Sequence, residues 1–423
     1  MASSSPPSWI ILGSVARVSG TDAGAEDIPP GADLALALAA PPRVTLLTVP
    51  LRVSPCPDEY PMVLAVDPSG LLLLSTPPAP SPPPSPPSSP DADGFVTLNI
   101  TDRTPPGYYV CDASSSAAAR LPGNGRGFLD DRSVGLLASP AGGGHYMVVE
   151  LQPLIGSDEA TLLCFSSVTG RWKEKDVFYP VRYGIWNTDA AITNAGKLCW
   201  VDLSCGILSC DPFAKKPVLD FVEFPEGRLR QNIHCLHCAG RELSTRRCVQ
   251  VSAGMFRLVE LTCGDHSSRP RGVVLASWMR LQQAQSRSHR KAPRVVMWTL
   301  ADQDTGEWKV EHRVNLADVW ADESYKATGL PKKTPVLALV HPKNPDVVYF
   351  FLGKHLLGVN LRTRKVVECE VYELVGPSRK HVSSRCVHPW ELPATLCAGI
   401  PSETGSGVNE GFASVASNER GRD

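Results

Sequence analysis

The sequence predicts an all-β chain of many short antiparallel strands with few helices, and three observations predict it. Apolar runs are short, often alternate in twos, and are bounded by Gly, Pro, Asn and Asp. Gly (34) and Pro (39) are abundant, as a chain of many tight turns requires. Strand–turn junctions also recur, at Cys111, Cys164, Cys210, Gly254 and Trp298, with intervals of 53, 46, 44 and 44 residues. A last junction near Asn360 follows after 62. A period of this size with about four strands in each is that of propeller blades, small sheets that are viable only when stacked face to face. The expectation is a β-propeller-like ring of about six blades, with five or seven allowed.

The elements follow in order. Trp9–Val18 and Val44–Val53 read as strands, and Met62–Val66 and Leu71–Leu74 as a hairpin turned by Asp67-Pro68-Ser69-Gly70. Residues 76–93 are largely Pro and Ser, a composition that neither pairs in a sheet nor forms a core, and are expected to be an extended loop. Tyr108–Cys111, Val134–Leu137 with His145–Leu151, and Thr161–Phe165 with Arg171–Phe178 come next. The stretch Lys197–Gly227 reads as three strands in a meander. Leu198, Trp200 and Asp202 face one way, and Cys199, Val201 and Leu203 the other. Cys248–Val251 and Met255–Leu261 pair across Ala253-Gly254. Val295–Leu300 and Trp308–Val314 repeat the Thr-Gly-x-Trp turn seen at Thr169–Trp172. Val336–Val340, Val347–Leu352, Leu356–Leu361 and Val366–Tyr372 form a four-stranded run. Helical candidates are Gly272–Gln285 and Leu316–Glu323. Residues 1–8 and 401–423 are expected to be disordered, leaving one domain over 9–400.

Within the meander, Trp200, Val201, Asp202, Leu203, Gly206, Ile207, Leu208, Cys210 and Asp211, followed by Phe221, Val222 and Pro225, resemble the signature of the domain of unknown function 1618 family of plants, chiefly grasses. Pro389–Pro393 is similar to that family as well, and the core of the resemblance spans about 197–345. It implies a β-rich, propeller-like protein and carries over no catalytic residue. The turn-then-Trp form is also similar to kelch-type and F-box-associated repeats. That likeness implies recruitment to a ubiquitin ligase, but Ala32–Ala40 is too short for an F-box and runs into Pro41-Pro42.

Charge and composition narrow the function. A net charge of −1 argues against a broad nucleic-acid or membrane surface. No apolar run reaches the roughly 18 residues of a membrane span. Trp9–Val15 is too short, and lacks the basic leader, for a secretory signal. An organellar transit peptide fits the lack of acids before Asp22 but not the single basic residue, Arg17. The expected location is cytoplasmic or nuclear, and the expected state a monomer. Thirteen cysteines at irregular spacing then read as reduced, mostly buried thiols, with Cys199, Cys205 and Cys210 packed.

His234-Cys235-Leu236-His237-Cys238 carries a C-x-x-C. Cys235, Cys238, Cys263 and His266 are the zinc candidates, yet only one properly spaced pair is present. An alternating strand is the favoured reading, and no cofactor is expected. No nucleophile elbow, zinc-protease, Walker or kinase motif occurs. Gly123–Gly127 is glycine-rich but does not follow a strand. Arg280, Arg287, Arg290, Lys291 and Arg294 make a basic run without interleaved aromatics, read as a solvated inter-blade loop. Tryptophans 172, 200, 298 and 308 are read as packing anchors between blades. The function expected is a non-catalytic scaffold that docks an unknown protein partner on propeller loops. The alternatives are a hydrolase-like propeller enzyme with its site at the channel mouth, and a nuclear regulatory protein using residues 280–294.

Overall fold

The computed structural model describes residues 8–20, 28–56, 60–78, 106–124, 127–181, 185–225, 243–262, 293–376 and 382–397. The zinc candidates, all of the basic run except Arg294, Gly272–Gln285, most of the Pro/Ser stretch and both terminal tails lie outside them.

Closure of the ring uses strands from both parts of the chain. β1 (Trp9–Gly13), β2 (Arg17–Val18), β3 (Ala35–Ala37) and β4 (Val44–Val49) join β25 (Val387–Glu391) in one mixed sheet. Trp9 lies opposite Glu391 and Gly13 opposite Val387 in an antiparallel ladder, while β1 and β4 are parallel. Five other sheets are four-stranded antiparallel meanders. Blade 1 is β5 (Met62–Val66), β6 (Leu71–Thr76), β7 (Gly107–Asp112) and β8 (Ala117–Arg120). Blade 2 is β9 (Val134–Ala138), β10 (Tyr146–Pro153), β11 (Glu159–Ser166) and β12 (Arg171–Phe178). Blade 3 is β13 (Ala190–Asn194), β14 (Lys197–Asp202), β15 (Gly206–Cys210) and β16 (Asp220–Glu223). Blade 4 is β17 (Arg247–Ser252), β18 (Met255–Thr262), β19 (Arg294–Asp302) and β20 (Glu307–Asn315). Blade 5 is β21 (Val336–Val340), β22 (Val347–Leu352), β23 (His355–Asn360) and β24 (Lys365–Val371). Helices among the described residues are brief: α1 (Leu316–Ala321), α2 (Glu323–Lys326) and α3 (Ala394–Cys397), with residues 243–246 helical ahead of β17 as well.

The protein is therefore an all-β propeller with five blades, and the expectation of about six is corrected. Cys111, Cys164, Cys210, Trp298 and Asn360 each fall in the third strand of a separate blade. Gly254 lies instead in the turn between the first two strands of blade 4, the blade that also holds Trp298. Blade 4 was thus counted twice, because the chain before β17 and between β18 and β19 is long enough to imitate a whole period. The sixth member of the ring is the mixed closing sheet, which does not follow the meander plan.

An apolar cluster fills each boundary between neighbouring sheets. Ile10, Leu72 and Trp390 join the closing sheet to blade 1, and Leu73, Leu136 and Phe165 join blades 1 and 2. Leu162 and Trp200 join blades 2 and 3, Val201 and Leu258 blades 3 and 4, and Met297 and Phe350 blades 4 and 5. Ile11 and Tyr349 return the circuit to the closing sheet. The period of two in β14 makes this possible, since Leu198 and Trp200 serve one boundary while Cys199 and Val201 serve the next. Indole N–H groups cross the boundaries as well. Trp172 donates to the Pro122 carbonyl at 2.7 Å, Trp200 to Ser133 at 2.7 Å and Trp308 to Glu223 at 2.9 Å.

Candidate functional site at the channel mouth

The first strands of blades 1 to 4, together with β25 and Pro342 after the first strand of blade 5, line a cavity of about 700 Å³. Its wall is largely apolar, including Met62, Val66, Ile192, Val249, Val251 and Val387. The first strands enter from a common face. The 3-10 turn Asp131–Ser133 before β9 touches Asn187 and Thr188 before β13. Ser384, before β25, donates to the carbonyls of Ser244 and Arg247 at the start of β17. Strand alternation then puts the ends of β6, β16 and β18 on this entry face too, and these flank the three longest connections of the ring.

Two guanidinium groups stand at this mouth. Arg132 makes a two-point ion pair with Asp130, at 3.0 and 3.2 Å, and also donates to Asn187 at 3.2 Å. Arg385 pairs with the buried Asp189, whose other oxygen accepts the Leu203 N–H at 2.7 Å. Burial, followed by the charge of Arg132, lowers Arg385 to about 10. The cluster ties blade 2, blade 3 and the closing sheet together.

Every described carboxylate lining the cavity is already engaged. Asp67 accepts the backbone N–H groups of Ser69 at 2.9 Å and Ala138 at 3.1 Å. Asp131 accepts from the Tyr108 hydroxyl at 2.6 Å, and Glu391 pairs with Lys343 at 3.7 Å. The one histidine in the wall, His388, is lowered to about 4 by burial and is neutral, donating from Nε2 to the Val63 carbonyl at 3.2 Å. Among the described residues, each of these groups has a partner within the ring.

The signature residues lie in blade 3. Trp200, Ile207, Leu208 and Cys210 are buried in its two faces. Leu203 is buried with them, and Pro225 is half-buried. Asp202 caps the turn at Ser204 and pins the N–H of Asn187 at 3.0 Å, while Asp211 caps the turn at Phe213. At Gly206 any added Cβ would collide with the Val222 carbonyl oxygen, so close strand approach requires glycine there. Cys164 is raised to about 11, and Cys111, Cys199, Cys210 and Cys248 to about 12, all chiefly by burial; these thiols are packing groups.

One metal-like grouping was not seen in the sequence. Glu311, His312 and Asp346 bring ligand atoms within 4.8 Å of one another at the boundary of blades 4 and 5. Asp346 already holds Arg362 at 2.7 Å and His312 at 2.8 Å, and Arg257 pairs with Glu311. Two arginines occupy the charge a cation would need, so the grouping reads as an ion-pair network.

Residues 200–349 match the family described as "Protein of unknown function (DUF1618)". That stretch is similar to the DUF1618 family. It runs from Trp200 in β14 to Tyr349 in β22, and so takes in most of blade 3, all of blade 4 and the start of blade 5. No curated protein matches the chain. Among solved structures it is similar to the β-propeller domain of Myceliophteria thermophila Cps50 (Swd1), at 9% identity and TM-score 0.32, covering 78% of this chain and 97% of that one. It is also similar to an α-L-arabinanase from Penicillium chrysogenum, at 10% identity and TM-score 0.32, covering 76% and 86%. Likenesses this distant carry no argument about activity. No helix among the described residues is long and apolar enough to cross a membrane.

Proposed function

We propose that this protein is a non-catalytic interaction scaffold whose protein partners dock on the loops of the entry face. The observation that carries this reading is the state of the channel polar groups: Asp67, Asp131, Asp189, Glu391 and His388 all have structural partners. A hydrolase at the channel mouth needs an acid or base free to exchange a proton with substrate. Loops gathered on one face of a rigid ring are instead a common means of presenting a docking surface. The test is affinity purification with the full chain and with residues 280–292 deleted. The scaffold reading expects stoichiometric protein partners that survive nuclease treatment. Recovery of nucleic acid only, lost with the deletion, favours the regulatory alternative. Recovery of no stable partner sinks the scaffold reading.

A further inference from the structure

The outer strand of blade 2 sorts its charges by side. In β12, Val177 packs into the boundary with blade 3, and Lys175 donates to the Pro212 and Ala214 carbonyls of that blade. Trp172 packs into the boundary with blade 1 instead. By alternation, Glu174, Asp176 and Phe178 share the side of Trp172, and the lysines share the other. The register extends this side across the sheet, since Phe178 lies opposite Glu159 and Asp176 opposite Thr161. Leu154 donates its N–H to the Glu159 carbonyl at 3.1 Å, and the next residue, Ile155, sits in the same turn.

Apolar side chains stand there, and the described residues leave them exposed. Phe178 is 66% exposed, Ile155 85% and Leu154 49%. Glu159, Glu174 and Asp176 are exposed around them. β12 is also the edge of its sheet, so its outer backbone is available for pairing. Asp176 accepts from the Thr161 hydroxyl at 3.4 Å, but no cation among the described residues neutralises these acids. An apolar patch rimmed by such acids on a sheet edge fits an extended, basic chain with apolar side chains at alternate positions.

We infer that the blade 2 edge around Phe178 and Glu159 docks an extended segment of a protein partner in which Lys or Arg alternates with aliphatic or aromatic residues. This rests on the scaffold reading and names a surface and a partner chemistry for it. Basic side chains would meet Glu159, Glu174 and Asp176, and an apolar one would cover Phe178 and Leu154.

The test uses a fluorescein-labelled peptide of about twelve residues, alternating Lys and Val around a central Phe, with fluorescence anisotropy on the full chain. Salt-sensitive binding is expected, weakened about tenfold or more by Phe178→Ser, and likewise by Glu159→Gln with Glu174→Gln and Asp176→Asn. An equal charge change elsewhere, Asp304→Asn with Glu307→Gln and Glu370→Gln, should leave binding within about twofold. Equal loss in that control, or none in Phe178→Ser, overturns the assignment. Tenfold tighter binding after removal of residues 79–105 would make that segment the native occupant, and also overturns it. If Phe178→Ser leaves purified partners unchanged, this surface is wrong while the scaffold reading stands; if no partner is recovered from any variant, both fall.

Discussion

Trp390 donates its indole N–H to the main-chain carbonyl of Asp67 at 2.8 Å, across 323 residues of sequence. The bond joins the closing sheet to blade 1, and both residues are buried. Trp390→Phe removes the donor and leaves that carbonyl with the Gly70 N–H alone, at 3.1 Å, so the lost bond should cost about 0.5–1.5 kcal/mol. Urea unfolding should show this loss, and a smaller one for Trp172→Phe, whose bond to Pro122 is more exposed.

Gly206→Ala should be among the most damaging small substitutions in the chain. The methyl would meet the Val222 carbonyl oxygen and the Phe221 ring, so β15 and β16 must separate. Overpacking of this kind costs about 1–3 kcal/mol or more. Thermal unfolding checks it, with Gly254→Ala a poor comparison because its positive φ adds strain; Gly123→Ala, with open space around it, is the better control.

Breaking the Asp189–Arg385 pair from one side leaves a largely buried guanidinium without its anion. Asp189→Asn should destabilise by about 3–5 kcal/mol. Replacing both residues, Asp189→Asn with Arg385→Met, should recover much of that loss. Denaturation midpoints of the three chains decide the matter.

Acid should weaken the fold through His388. Its folded value of about 4 lies below that of an unfolded histidine, near 6.5. Above pH 6.5 both states are neutral and the stability is fully present. Between 6.5 and 4 only the unfolded chain takes up the proton, so stability falls as pH falls. His341, also lowered to about 4 by burial, acts in the same direction. Urea midpoints measured across this window should fall less steeply in His388→Gln.

Ala253 has a positive φ of 49° ahead of Gly254 in the two-residue hairpin of blade 4. Asparagine tolerates that conformation better than alanine. Ala253→Asn should raise stability by up to about 1 kcal/mol, read as a higher melting temperature.

Much of the fold was legible because its signals are local. The Asp67-Pro68-Ser69-Gly70 turn, the Ala253-Gly254 hairpin and the two Thr-Gly-x-Trp turns each contain their own turn chemistry. The alternation in Lys197–Leu203 also assigned both faces of β14. Parallel pairing of β1 with β4 left no such mark, since it depends on ring closure and not on any turn. The blade count failed for a related reason: a regular interval cannot distinguish a blade from a long connection. At the channel mouth, nothing in the sequence around Arg132 or Arg385 sets either apart from a surface charge. Their meeting over Asp189 is set by the ring, and nothing near any of them in sequence announces it. The sorted charges of Lys173–Asp176 were readable, but their significance needed the knowledge that β12 is an edge.

Trp9 lies opposite Glu391, so the leading end of β1 and the trailing end of β25 leave their shared ladder at the same point. A force drawing the two ends of the chain apart would therefore load those hydrogen bonds one after another, as a zipper is opened, rather than all at once. The seam that completes the ring is the place where tension would first part it.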